Sequence, residues 1–206
     1  MPAQRPLILG SSSRYRRELL ERLRLPFTVQ SPDLDESALP SEAPAALAQR
    51  LALAKAHAVA ALHPDAVVIG SDQVADLDGE PIGKPGTHER AVAQLRRMRG
   101  RAVVFQTAVA VVCHATGYVG TALAPVTVRF RALTDAEIEH YLRTEEPYDC
   151  AGSAKCETLG IALLDAIDSD DPTALVGLPL IRTCALLRAA GIDPLRPQWH
   201  APWHAP

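Results

Sequence analysis

Ala66-Val67-Val68-Ile69-Gly70-Ser71-Asp72-Gln73-Val74 is an apolar, β-branched run that ends in two small residues and a carboxylate. It reads as a buried central strand. Long helical patterns lie on either side of it, at Pro44–Leu62 and Thr87–Met98. Strands alternating with helices of this length predict an α/β fold. In α/β sheets the strand ends are where ligands bind. The strand therefore delivers Asp72, rigidly held, to the edge of a sheet. Alone, an aspartate after a strand most often only starts a turn.

The flanking segments extend the pattern. Residues 6–9 read as a short buried strand. Arg14 to Arg24 reads as a helix with Leu19, Leu20 and Leu23 at helical spacing and Ser13 as its N-cap. Phe27–Gln30 reads as a second strand. Leu47, Leu51, Ala54 and Ala58 share one face of the Pro44–Leu62 helix, which ends near His63-Pro64. Asp78-Gly79 signals a tight turn. Thr87 caps the helix to Met98. Ala102–Cys113 and Tyr118–Arg131 read as a hairpin joined near Thr116-Gly117. Thr134 and Glu137 have capping-box spacing at the start of a helix to Thr144. Gly160–Ile167 reads as a strand and Pro179–Ala190 as a helix. Without a repeat or linker, residues 1–193 form one α/β domain, with room for two lobes around a cleft. Residues 194–206 form a Pro-rich tail that holds both tryptophans.

Composition excludes several classes. The formal net charge of −3 argues against a general nucleic-acid or membrane-surface binder. The charge is uneven, because six arginines face only two glutamates within residues 1–24, so anions are drawn to that end. With 48% hydrophobic but 4% aromatic residues, the core must be aliphatic. Cys113, Cys150, Cys156 and Cys184 form no C-x-x-C pair, which disfavours zinc ribbons and disulfide scaffolds. No leader-like start and no long apolar run is visible, so a cytoplasmic protein with reduced thiols is expected. The seven histidines show no metal-ligand spacing; His200 and His204 of the tail could hold a metal adventitiously.

Three segments offer the parts of a phosphate site. Leu9-Gly10-Ser11-Ser12-Ser13-Arg14-Tyr15-Arg16 places hydroxyls, a helix start and a cation together. Arginine holds phosphate oxygens by paired hydrogen bonds. In isolation the same segment also reads as a serine-rich cap beside a solvated arginine face. No Walker P-loop is present. Lys84, between Gly83 and Pro85, is a compact charge on a rigid turn. Lys55 lies on an alanine-rich helix and either snorkels to solvent or serves a site. Asp33-Leu34-Asp35-Glu36 and Asp72 supply carboxylates that suit a hard cation such as Mg²⁺, or that take a proton from an attacking water. A serine hydrolase is disfavoured, since G-x-S-x-G is missing.

Taken in order, Ser11-Ser12-Ser13-x-x-Arg16-Arg17, Asp35-Glu36, Ala54-Lys55-Ala56, Gly70-Ser71-Asp72 and Gly83-Lys84-Pro85 resemble the Maf family of nucleoside triphosphate pyrophosphatases. The resemblance continues through Val128-Arg129-Phe130, Tyr148-Asp149-Cys150-Ala151-Gly152-Ser153 and Val176-Gly177-Leu178-Pro179. It implies an elongated mixed β-sheet with flanking helices, a central nucleotide-binding cleft and often a homodimer. It implies hydrolysis between the α- and β-phosphates with a divalent cation, Mg²⁺ or Mn²⁺. By the same resemblance Asp72 is the proton acceptor. Ser11, Ser13, Arg16, Lys55 and Lys84 contact phosphates, and Glu36 joins Asp72 at the metal. Tyr15, Gln73 and Glu157 occupy the positions that separate the branch acting on 7-methyl-GTP from the branch acting on dTTP and UTP, and they look like the former. N7-methylation makes guanine cationic, an aromatic face attracts a cation, and a carboxylate can accept from guanine N–H groups. The family name is also tied to inhibition of septum formation, so a nucleotide-binding regulator is the alternative from another class.

Overall fold

The computed structural model describes residues 5–196. Its strands are β1 (Leu7–Gly10), β2 (Thr28–Val29), β3 (Val67–Leu77), β4 (Glu80–Ile82), β5 (Ala102–Cys113), β6 (Tyr118–Phe130) and β7 (Leu164–Asp168). Its α-helices are α1 (Arg14–Glu21), α2 (Pro44–Leu62), α3 (His88–Met98), α4 (Asp135–Glu145) and α5 (Leu180–Ala189). The strands form one mixed sheet in the order β2-β1-β3-β5-β6-β7, with β4 also on β3. β2, β1 and β3 run parallel; the other pairings are antiparallel. The α/β expectation holds.

β3 organises the molecule. Its residues alternate between two aliphatic layers. Val68 packs with Leu51, Ala52, Ala56 and Val59 of α2. Val67 and Ile69 pack with Leu19 and Leu20 of α1 and Leu187 of α5. A strand covered on both faces needs the unbroken apolar run that the sequence shows. Beyond Val74 the strand enters a third cluster, where Ala75 and Leu77 meet Leu95 and Met98 of α3 and Ile138 and Leu142 of α4.

The sheet opens where the chemistry is expected. β1 pairs with β3 from Val67 to Gly70, and β4 takes the same edge only from Ala75 onward. Between them Asp72 and Gln73 face no strand on that edge. Gly10 lies opposite Gly70 in register. A Cβ on Gly70 would stand 2.2 Å from the Ala52 carbonyl oxygen and 2.6 Å from the Ala56 nitrogen. The glycine thus lets the α2 backbone lie directly on β3, one helical turn from Lys55.

Several boundaries differ from the sequence reading. α1 stops at Glu21 because Arg24 adopts a left-handed backbone, φ +54°. β2 keeps only two residues. β3 runs on to the Asp78-Gly79 turn and returns as β4, a strand too short for sequence periodicity to reveal. The first half of the expected Gly160–Ile167 strand is a 3₁₀ turn, Leu159–Leu163. The caps at Ser13 and Thr87 and the Thr134–Glu137 capping box form as expected. His200, His204 and most of the Pro-rich tail lie outside the described residues.

Candidate active site

A cleft of about 560 Å³ opens at the gap beside β3. Ser11, Ser13, Tyr15, Arg16, Glu36, Lys55, Asp72, Gln73, Lys84 and Glu157 all line it. These ten residues come from segments spread over about three quarters of the chain, and the fold brings every one of them to a single cavity.

At the floor stands a charge cluster. Asp72 is 7% exposed and Lys55 5%. Lys55 does not snorkel; it sits on the buried stripe of α2, and its Nζ donates to Asp72 Oδ1 at 2.6 Å. The same ammonium lies 2.9 Å from Glu36 Oε1. The two carboxylates therefore converge on one point. Among the described residues Asp72 Oδ2 accepts no hydrogen bond from protein. Asp33 and Asp35 stay exposed, and Asp35 accepts from the Ser37 N–H to close its own turn. Of the acidic run, only Glu36 reaches the cleft.

The serine turn builds the adjoining wall. Ser13 Oγ caps α1 by accepting from the Arg16 N–H at 3.4 Å. Ser11, buried, accepts from the Ser13 N–H at 3.1 Å and from Arg16 Nη1 at 3.4 Å. Arg16 Nε donates to the Gly177 carbonyl at 2.9 Å. Burial lowers the Arg16 pKa, and the nearby Asp72 and Glu36 carboxylates oppose that shift. An arginine guanidinium is not deprotonated in proteins, so Arg16 stays charged at neutral pH. Two cations and two carboxylates thus balance at the floor, and the helix start supplies N–H groups for an added anion.

Another part of the cleft lining carries an aromatic ring between two cations. Arg14 lies over the Tyr15 ring, 4.7 Å from its centroid, and donates from Nη2 to the Tyr15 hydroxyl at 2.8 Å. Lys155 Nζ is 5.9 Å from the same centroid. Burial raises the Tyr15 pKa, so its hydroxyl remains a neutral donor. Gln73 Nε2 faces Thr107 Oγ1 at 2.8 Å and the carbonyls of Ala174 and Leu175 at 3.0 Å. Its amide nitrogen is committed to the scaffold, and only Oε1 is left to accept from a ligand. Burial also pushes the Cys150 and Cys156 thiols up to about 12, with Asp149 and Glu157 respectively adding to the effect. The four cysteines are free.

Some contributors carried no role in the sequence reading. The Gly177 carbonyl receives Arg16 and lies 2.9 Å from the buried Ser71 Oγ, so it ties the late chain to both α1 and β3. Arg14, Asp149 and Cys150 also line the cleft. The motifs Val176-Gly177-Leu178-Pro179 and Tyr148 to Ser153 held the signal for these, as ordered pieces of a resemblance.

The sequence matches the family described as Maf-like protein over residues 6–190. The chain belongs to the Maf family. Among its Maf relatives, a protein named 7-methyl-GTP pyrophosphatase from Polaromonas sp. (strain JS666 / ATCC BAA-500) is 71% identical, covering 93% of this chain and 87% of the relative. Proteins of the same name from Albidiferax ferrireducens and Bordetella pertussis are 69% and 65% identical, covering 94% and 95% of this chain and 98% of each relative. Among the described residues no helix is long and apolar enough to cross a membrane.

Proposed function

We propose that this Maf protein hydrolyses 7-methyl-GTP between its α- and β-phosphates, releasing 7-methyl-GMP and pyrophosphate, and so clears modified nucleotides from the cytoplasm. The observation that carries the reading is the convergence of all ten expected site residues on one cleft, in a chain 65–71% identical to relatives of that name. Ser11, Ser13, Arg16, Lys55 and Lys84 neutralise and position the triphosphate. Lys55 fixes the Asp72 carboxylate through Oδ1, leaving Oδ2 to take a proton from the attacking water. As the water oxygen bonds to phosphorus, the bridging P–O bond breaks and pyrophosphate leaves.

A divalent cation, Mg²⁺ or Mn²⁺, fits this floor. Glu36 and Asp72 converge and offer only oxygen donors, and no group of three His, Cys, Asp or Glu competes as a metal cage among the described residues. A hard ion that keeps most of its waters requires only one or two carboxylates. When bound, it supplies charge neutralisation and polarises phosphoryl oxygens.

Base selection falls to Tyr15, Gln73 and Glu157. The Tyr15 ring attracts the cationic base, and Glu157 and Gln73 Oε1 accept from its N–H groups. The ring already carries Arg14, so an incoming 7-methylguanine shares or displaces that side chain. A homodimer is part of the same reading, by family resemblance alone.

The test is pyrophosphate release with Mg²⁺ from 7-methyl-GTP, GTP, dTTP, UTP and CTP, with products identified by chromatography. Preference for 7-methyl-GTP is expected. Preference for dTTP or UTP would keep the chemistry and discard the base assignment. Release from none would overturn the reading.

A further inference from the structure

Lys84 stands on the turn between β4 and α3, with no helix or long strand of its own to hold it. Its backbone is fixed from elsewhere. The Gly83 carbonyl, in the peptide unit that leads into Lys84, accepts from Gln94 Nε2 at 3.1 Å and from the Gly152 N–H at 3.3 Å. The Gly86 N–H donates to the Tyr148 carbonyl at 3.0 Å. The other end of the Gln94 amide, Oε1, accepts from Ser153 Oγ at 2.6 Å. One side-chain amide therefore bridges the lysine turn and the Asp149–Glu157 loop.

Ser153 shows what this bridge demands of the backbone. It is fully buried, and it is a non-glycine residue at φ +54° directly after Gly152 at φ +67°. L-residues rarely hold that conformation, and when buried they do so where the surroundings require it. Neither Gln94 nor Ser153 lines the cleft. Neither can touch substrate, yet both fix segments that do: Lys84 on one side, and Cys150, Ala151 and Glu157 on the other.

We propose that Gln94 and Ser153 are positioning residues: a clamp, buried at Ser153 and half-buried at Gln94, that sets the distance between the phosphate-binding Lys84 and the base-binding loop, so that one substrate must satisfy both. This rests on the cleft being a nucleoside triphosphate site. A broken clamp leaves Lys84 present but misplaced.

The experiment is a double-mutant cycle with a second, activity-free readout, performed on the full chain. In the wild-type background Gln94→Ala lowers kcat/KM for 7-methyl-GTP about tenfold, the scale of one lost hydrogen-bond bridge. In a Lys84→Ala background the same substitution lowers it no more than about twofold, because the positioned group is already gone. A purely structural role would give the same fold-change in both backgrounds and would overturn the proposal. Ser153→Gly separates strain from the clamp. It relieves the left-handed backbone and removes the hydroxyl, so the melting temperature holds or rises while activity falls as in Ser153→Ala. Retained activity in Ser153→Gly would contradict the clamp. Amide hydrogen exchange at Gly152, whose N–H meets the Gly83 carbonyl, accelerates in Gln94→Ala if the clamp exists; unchanged exchange sinks it. That last readout needs no turnover, so it stands even if the wild-type protein cleaves none of the nucleotides and the functional reading itself fails.

Discussion

The two ends of the cleft hold their residues by opposite means. At the α2 end, Lys55 and Asp72 come from the middle of a helix and the middle of a strand, and the glycine at position 70 lets the two backbones touch. At the α3–α4 end, Lys84, Cys150 and Glu157 come from turns, held by hydrogen bonds such as Gln94 to Gly83 and Ser153 to Gln94. The first end owes its geometry to close packing, which tolerates little change. The second owes it to a few polar contacts across a short distance. Bond-breaking chemistry needs a fixed proton acceptor, whereas base recognition can differ between branches that share a fold. In the proposed reading Asp72 and the base contacts Tyr15 and Gln73 stand on regular structure and only Glu157 comes from a turn, so that turn can vary without moving the acceptor.

Breaking the rigid end has the largest expected effects. Asp72→Asn keeps size and polarity but removes the proton acceptor, so kcat falls by about 10²–10⁴ in steady-state assays while nucleotide binding by calorimetry persists. Turnover within a few-fold of wild type would remove Asp72 from that role. Gly70→Ala drives a Cβ into the Ala52 carbonyl and destabilises the fold by about 3 kcal/mol in urea denaturation. Gly86→Ala, in the lysine turn, meets nothing within 4 Å and has only its φ of +70° to strain. It should cost about 1 kcal/mol. Equal costs at the two glycines would erase the distinction between packed and loop-held ends.

Substitutions around the proposed base, at Glu157 of the loop end and Arg14 of α1, act on selectivity. Glu157→Gln lowers the kcat/KM ratio of 7-methyl-GTP over dTTP about tenfold, on the scale of a charged hydrogen bond, with dTTP turnover nearly unchanged. A parallel drop for both substrates would make Glu157 a scaffold residue. Arg14 sits where the cationic base should stack, so Arg14→Ala lowers KM for 7-methyl-GTP about two- to fivefold. A raised KM would show that Arg14 binds phosphate instead.

A further expectation is a pH dependence confined to alkaline conditions. The folded-state pKa values of Cys150 and Cys156 are raised to about 12 by burial. Below the unfolded thiol value of about 8.5 the thiol is neutral in both states, so these groups leave stability unchanged there. Stability falls as pH rises from that value toward 12, because the unfolded chain ionises first. Both thiols should alkylate slowly at pH 8 in the folded protein. Rapid labelling at either would contradict a thiol held neutral by partial burial beside carboxylates.

This division also explains what could be read from sequence. The β3 run and the caps at Ser13, Thr87 and Thr134 are local signals, and each appears in the structure within a few residues; the α2 face is half right, because Leu47 and Leu51 are buried but the stripe continues through Ala52, Lys55, Ala56 and Val59 rather than Ala54 and Ala58. Sequence leaves Lys55 open, because a lysine among alanines looks alike whether it faces water or Asp72; contacts remote in sequence, the Gly70 approach to Ala52 and Ala56 among them, set the helix rotation. β4 is too short to show periodicity. The 3₁₀ turns at Ala151–Ser153 and Ala174–Val176 follow from tertiary bonds to Gly83 and Gln73, which no local pattern announces. Their residues entered the sequence reading only as pieces of a family resemblance.

The division of labour between the two ends is tested most directly by a crystal structure of the Asp72→Asn protein with 7-methyl-GTP and Mg²⁺. We expect the triphosphate between Lys84 and the Ser11–Arg16 turn, with position 72 beside the α–β bridge and the base against Tyr15 and Glu157. A base seated among Lys55, Glu36 and position 72, with phosphates at Glu157, would contradict it.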